Sequence, residues 1–320
     1  MPGQGNGGDM NQDPSSAPDP VAWLQKLSLG TAQELEPYTI YPLCVPGAAP
    51  AQPSLLLTHQ AMEARLLEIF EKGDGEVQEL EALNKGDLPV VILEGDTLVG
   101  CKQNRVVARS VILGKGKKTP IPVGCMEQGR WAWRGGRFAS GTMRIKPSVR
   151  SASMREVLDA KKRRATKASL DQGRLWRDVA LSLEREGVGS ATSDYQAVVQ
   201  ECADEVSGRT RALERQPGQV GVLVMAGGTF VGLELVGHPE TWDDLALRTL
   251  PALLMDRDRA PAGEGETGDA SAWLDRVRRS SMALTPALGQ GQEIDIEDED
   301  LAGSGLWHDQ QLVHLAVFAL

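Results

Sequence analysis

Residues 89–114 constrain the fold more than any other part of the chain. Val90-Val91-Ile92-Leu93 is a β-branched run that stops at Gly95-Asp96, after which Thr97-Leu98-Val99 resumes the pattern. A two-residue turn needs positive φ, which Gly and Asp tolerate, so the segment predicts a β-hairpin, with residues 106–113 continuing its sheet. The theme returns where Val222-Leu223-Val224-Met225-Ala226 runs through Gly227-Gly228 into Thr229-Phe230-Val231-Gly232. Gly, Thr, Val and Gly then coincide with positions 95, 97, 99 and 100 at a constant offset of 132.

Further strands are expected at 39–45, at 66–70 behind a short helix, and at 76–83 across the Lys72-Gly73-Asp74-Gly75 turn. Another is expected at 121–133, broken by Gly135-Gly136, and a last one at 312–320, apolar on both faces and so central in a sheet. A short helix at 20–27 precedes them, and a helical half lies between. Ser153-x-x-Glu156 and Ser193-x-x-Gln196 have capping-box spacing. Leu175, Trp176, Val179, Ala180 and Leu183 form one apolar stripe, and Tyr195, Val198, Val199, Cys202 and Val206 another; both read as core faces. Pro239 opens a helix, and an acidic, Gly-rich loop at 256–269 precedes one around 273–277. The whole reads as an α+β protein: a mixed, largely antiparallel sheet built from β-hairpins, helices packed on it, and pseudo-repeat halves at about 39–150 and 151–320. Residues 20–320 are expected to form a single globular domain behind a disordered tail, 1–19, which has no apolar block.

No run of about 18 apolar residues exists, so no membrane partner is expected, and without a secretory signal the chain is placed in the cytoplasm. Cys44, Cys101, Cys125 and Cys202 lie far apart with no histidine at ligand spacing, so neither a metal site nor a disulfide framework is expected. Gly-x-Gly-x-x-Gly and a Walker loop are absent, and no cofactor is expected. His314 sits inside the apolar last strand and reads as a hydrogen-bonded structural histidine.

Charge is distributed unevenly. Residues 102–177 hold 20 lysines and arginines against four acids, while the remainder holds 14 cations against 40 acids. A basic third inside an acidic chain is the footprint of an anion-binding face, or else of a segment that pairs with the acidic remainder. Two blocks concentrate chemistry. In the first, Glu94 and Asp96 precede Lys102-Gln103-Asn104-Arg105. Amides there can read hydroxyls, and Arg105 can grip a phosphate with two parallel bonds. In the second, Cys125, Glu127 and Arg130 are placed near a common side by strand alternation, beside Trp131 and Trp133, either of which could stack a base or cover a core. The plainer alternative is a Glu127–Arg130 or Glu94–Arg105 ion pair bracing the sheet.

These blocks, Glu94-Gly95-x-x-Leu98-x-Gly100-x-Lys102-Gln103-Asn104-Arg105 and Cys125-x-Glu127-x-Gly129-Arg130-Trp131, with the ending Val313-His314-Leu315-Ala316-Val317-Phe318, resemble a bacterial domain family of unknown function. That family is named for its association with ADP-ribosylglycohydrolases and rhodanese-phosphatases. The likeness runs from about residue 22 to 318, with Gln128 a mild departure. What it implies is context: enzymes that handle ADP-ribose derivatives or phosphate.

The first expectation is therefore binding of a phosphorylated small molecule, a nucleotide such as an ADP-ribose derivative. Lys102, Arg105 and Arg130 would meet phosphate, Gln103 and Asn104 sugar or base, and Trp131 a ring. Were it an enzyme, hydrolysis would be the class, with Glu94 or Glu127 as general base and Cys125 as a nucleophile lacking a His partner. Two alternatives stand beside it. One is nucleic-acid binding along the basic segment, where Lys161-Lys162-Arg163-Arg164 and Lys167 could follow a backbone. The other is a structural or partner-protein-binding role without catalysis.

Overall fold

The structure is a computed structural model that describes residues 19–47, 55–164, 170–256 and 269–320. Most of the expected tail, Lys167 and the acidic loop lie outside the described residues. In chain order the first elements are α1 (Pro20–Leu24), β1 (Ser28–Leu29), β2 (Gln33–Leu35), β3 (Tyr38–Cys44), β4 (Leu56–Leu57) and α2 (Thr58–Glu63). They continue with β5 (Leu67–Glu71), β6 (Glu79–Asn84), β7 (Val90–Ile92), β8 (Thr97–Cys101), β9 (Arg105–Val107), β10 (Val111–Leu113), β11 (Lys118–Cys125) and β12 (Arg134–Ser140). Three helices follow, α3 (Pro147–Lys162), α4 (Gln172–Arg185) and α5 (Tyr195–Thr210). The chain ends with β13 (Gln219–Ala226), β14 (Thr229–Val236), α6 (Pro239–Leu254), α7 (Ala270–Arg279), β15 (Ser281–Pro286), β16 (Gln292–Glu297), β17 (Leu301–His308) and β18 (Gln311–Ala319).

The architecture is α+β, and its sheets are largely antiparallel. One nine-stranded sheet has the order β1-β3-β13-β14-β18-β17-β16-β15 with β2 added on β3. A six-stranded sheet runs β12-β8-β9-β11-β6-β5, and a three-stranded one runs β10-β7-β4. Strand β18 lies between β14 and β17, buried along most of its length, as its two apolar faces demand. The stripes of α4 and α5 are buried against each other through Leu175, Val179, Val198 and Val199, and α4 also packs against β11.

The expected hairpin at Gly95-Asp96 does not form. β7 pairs with β10 and β4, whereas β8 pairs with β9 and β12, so the turn carries the chain from one sheet to another. The echo at Gly227-Gly228 is a true hairpin between β13 and β14. Backbone geometry separates the two. Gly227 and Gly228 both have positive φ (52° and 83°), as a primed two-residue turn requires. At the first site Asp96 N–H donates to the Leu93 carbonyl at 3.0 Å, and of the two central residues only Gly95 has positive φ, 84°. That is a type II turn, whose twist splays the strands it joins. A side chain at Gly95 would also meet Arg150, whose Nε lies 2.7 Å from the position of a Cβ there.

Three local expectations shift for equally local reasons. Ser153 lies inside α3, which Lys146 precedes and Pro147 opens, so its spacing to Glu156 caps nothing. The cap of α5 is Asp194, whose carboxylate accepts from Gln196 N–H at 3.0 Å, one residue beyond the expected Ser193. Strand β11 ends at Cys125, and residues 126–133 form a loop.

Candidate functional site

The two chemical blocks are brought together only in part. Glu94 leaves its block. Its carboxylate lies against Arg150, with Oε2 at 3.0 Å from Nη2, and is 2% exposed. It joins a buried network whose hub is Glu234 on β14. Glu234 accepts from Arg150 Nη1 at 2.6 Å and Nη2 at 3.1 Å, from Arg144 Nη1, and from His314 Nε2 at 2.7 Å. Asp96 faces Arg144 at 3.4 Å and accepts from Thr58 Oγ1 at 2.6 Å. Burial, reinforced by Arg144 and Arg150, holds His314 well below the ordinary histidine range. His314 is therefore neutral, and because an ionised carboxylate only accepts, its Nε2 carries the proton donated to Glu234. The structural reading of His314 and the Glu94-Gly95-Asp96 turn meet here, across three elements that are far apart in sequence.

Asn104, Glu127 and Arg130 form a second buried knot. Glu127 accepts from Arg130 Nε at 2.7 Å and Nη2 at 2.5 Å, a bidentate pair, and from Thr192 Oγ1 at 2.9 Å and Asn104 N–H at 3.2 Å. Arg130 also donates to the carbonyls of Cys101 (2.6 Å) and Ala132 (2.8 Å). Asn104 Nδ2 donates to the capping residue Asp194 at 2.9 Å, which ties the loop to the start of α5. Gly129 is required here: its N–H donates to Thr192 O at 2.8 Å, and a Cβ would sit 2.9 Å from Thr192 Cα. Burial works to raise the Glu127 carboxyl, but the bonds from Arg130, Thr192 and Asn104 outweigh it and leave it below its ordinary value. Glu127 is thus an ionised acceptor with its lone pairs in use. The Glu127–Arg130 pair forms; the Glu94–Arg105 pair does not.

Arg105 pairs instead with Glu71, a residue that nothing in the sequence singled out. Arg105 Nη1 donates to Gln103 Oε1 at 3.1 Å, and Nη2 stands 3.6 Å from Glu71 Oε2, with Arg105 fully buried. Cys125 borders the pair. Its Sγ lies 3.5 Å from the Val77 carbonyl, and its backbone N–H and C=O are both bonded to Gln172. Burial pushes the thiols of Cys125 and Cys101 up to about 11. Such thiols are protonated near neutral pH, so both are expected to alkylate about a hundredfold more slowly than a thiol of pKa 9.0. Peptide mapping after a short iodoacetamide pulse on the native protein measures this, and modification of Cys125 before Cys44 would show a thiolate instead.

Above Arg105 stands an exposed surface. Trp131 is 47% and Trp133 58% exposed, while Trp242 and Trp307 are buried. The Trp131 ring lies 5.6 Å from the Arg105 guanidinium carbon. The Lys102 ammonium lies 5.3 Å from the Trp131 ring and 5.5 Å from that of Trp133, and also donates to the Asp74 carbonyl. The basic segment, in contrast, is largely matched inside the molecule. Arg109 pairs with Glu293, Arg155 and Lys162 with Glu297, Lys161 with Asp295 and Arg174 with Glu156, so α3 lies over the acidic strand β16 and the sheet beside it. Among the described residues no group of three or more His, Cys, Asp or Glu could hold a metal ion, and no helix is long and apolar enough to cross a membrane.

No curated protein and no solved structure matches this chain. A family model matches residues 26–318, spanning all three quoted blocks, and the chain therefore belongs to the ARG and rhodanese-phosphatase-superfamily-associated protein domain family.

Proposed function

We propose that this chain is a binding protein whose recognition surface is the Trp131–Lys102–Trp133 patch. Its ligand is ring-bearing and anionic, of the phosphorylated-nucleotide class. One observation carries the reading: a lysine ammonium held within 5.5 Å of two neighbouring exposed tryptophans. A ring can stack on either indole while Lys102 meets its charge. Arg105 and Arg130 then hold the base of the patch rather than touch phosphate, because their guanidiniums already face Glu71 and Glu127. Glu94, Glu127 and Cys125 do no chemistry in this reading, since two are ion-paired carboxylates and the third a protonated thiol. The nucleic-acid alternative has less to rest on, with Lys161 and Lys162 bonded to Asp295 and Glu297.

A second reading, docking of a partner protein on the same rings, is favoured by their exposure, because large apolar side chains left side by side in water mark contact surfaces. Titration with ADP-ribose and a nucleotide panel separates the two, read by tryptophan fluorescence and by melting temperature. A ligand of this class is expected to quench the exposed indoles and raise the melting point by mass action. Trp131→Ala should weaken binding by about tenfold or more, as loss of one stacking partner is worth ~1–3 kcal/mol. Absence of quenching and of any thermal shift across the panel leaves the partner-protein reading in its place.

A further inference from the structure

The proposed recognition surface offers two rings, and one base needs only one. A single ammonium, that of Lys102, lies 5.3 Å from the Trp131 ring centre and 5.5 Å from the Trp133 ring centre, so the two indoles share one cation and stand within reach of one small molecule. Both rings are exposed. Among the described residues the Lys102 ammonium has no carboxylate partner; it donates to the Asp74 carbonyl, which leaves its charge uncompensated. The patch is also held in place before any ligand arrives. A Cβ at Gly75 would stand 3.2 Å from Lys102 Nζ and 3.3 Å from Trp131 Cζ2, so both side chains rest on the turn at 72–75. Arg130 Nη1 donates at 2.6 Å to the carbonyl of Cys101, the residue before Lys102. Groups positioned in advance cost little to order on binding.

Building on the reading of this patch as a nucleotide site, we infer that its ligand is a dinucleoside diphosphate. One base stacks on Trp131, the other on Trp133, and the bridging diphosphate lies at Lys102. Two flat rings joined through an anion are the complement of two indoles joined through a cation. The second base binds as part of a molecule already held, at high effective concentration, so its stacking adds to affinity. A mononucleotide covers one indole and leaves the other in water. A nucleic-acid strand also presents successive bases, but it needs cations along its backbone, and Lys161 and Lys162 of α3 are already matched by Asp295 and Glu297 of β16.

The test is equilibrium dialysis of the full chain, whose signal does not depend on the indoles, against diadenosine diphosphate, ADP and the phosphodiester adenylyl-adenosine at one ionic strength. Diadenosine diphosphate is expected to bind at least about tenfold more tightly than ADP, although ADP carries the greater negative charge. Trp133→Ala should remove that advantage, weakening diadenosine diphosphate about tenfold and ADP by less than about threefold. Adenylyl-adenosine brings a single phosphate charge to Lys102 and should bind more weakly than the diphosphate. Equal affinity for ADP, an advantage that survives Trp133→Ala in a folded variant, or tighter binding of adenylyl-adenosine overturns the inference. Binding of ADP in any of those cases leaves the nucleotide reading standing, whereas no binding of any of the three compounds removes both.

Discussion

Replacing Glu234 by alanine is expected to destabilise the protein by about 3–5 kcal/mol, the range for removing one partner of a buried ion cluster. Glu234 is fully buried and accepts from Arg144, from both terminal nitrogens of Arg150, and from His314. Without it Arg144 and Arg150 keep, among the described residues, Asp96 and Glu94 as counter-charges, and neither arginine can escape to solvent, since both are 1% exposed. The Phe318 ring, 4.6 Å from the Arg150 guanidinium carbon, cannot replace a carboxylate. The effect should appear as a fall in urea midpoint with an unchanged m-value. Glu234→Gln keeps shape and some hydrogen bonds but loses the charge, so it should fall between the wild type and alanine. A loss under about 1 kcal/mol for Glu234→Ala would mean that the cluster is not the bridge between β14, β18, α3 and the 93–96 turn that its geometry describes.

Glu127→Ala should cost about 3 kcal/mol by the same logic, and it carries a signature in pH. Removing this carboxylate strips Arg130 of its counter-charge, leaving it the carbonyls it also bonds, and takes the acceptor from the Thr192 hydroxyl and the Asn104 N–H. Because the folded-state pKa of Glu127 lies below its ordinary value of 4.5, its stabilising contribution is complete above that value and fades as the pH falls through the folded pKa. Wild-type stability should therefore decline on acidification below about pH 4.5, and the difference from Glu127→Gln should shrink in the same window. Denaturant midpoints measured from neutral to acidic pH read this directly. A difference that stays constant with pH would remove Glu127 as an ionised hub. The tryptophan patch should suffer too, since the loop at 126–133 is pinned through this knot, and indole quenching by a ligand should weaken in Glu127→Ala even where the protein remains folded.

Much of the local structure was legible from residue pattern alone, because strands and helices are set by periodicities of two and 3.6 along the chain. β18 was recognisable as a central strand from two apolar faces, and the stripes of α4 and α5 from their spacing. The Glu127–Arg130 pair could be anticipated as well, being three residues apart. What failed did so where one local signal serves two geometries. Gly95-Asp96 fits a hairpin and a sheet-crossing turn equally well in sequence, and the outcome depends on which residue takes positive φ and on Arg150 packing against Gly95. The excess of cations at 102–177 fits an anion site and an internally matched face equally well, and the acidic β16 beneath α3 shows that much of it is matched.

By itself, then, the sequence determined the element types, the α+β class and the blocks that mark the family, since each of these is a property of neighbours in the chain. Only the tertiary structure decided partners: Glu71 for Arg105, Glu234 for Arg144 and Arg150, and Asp194 for Asn104. Those choices join residues that are 34 to 90 positions apart. Electrostatic pairing acts over a few ångströms of space and not over sequence distance, so no pattern in the chain announces which carboxylate a buried guanidinium will meet.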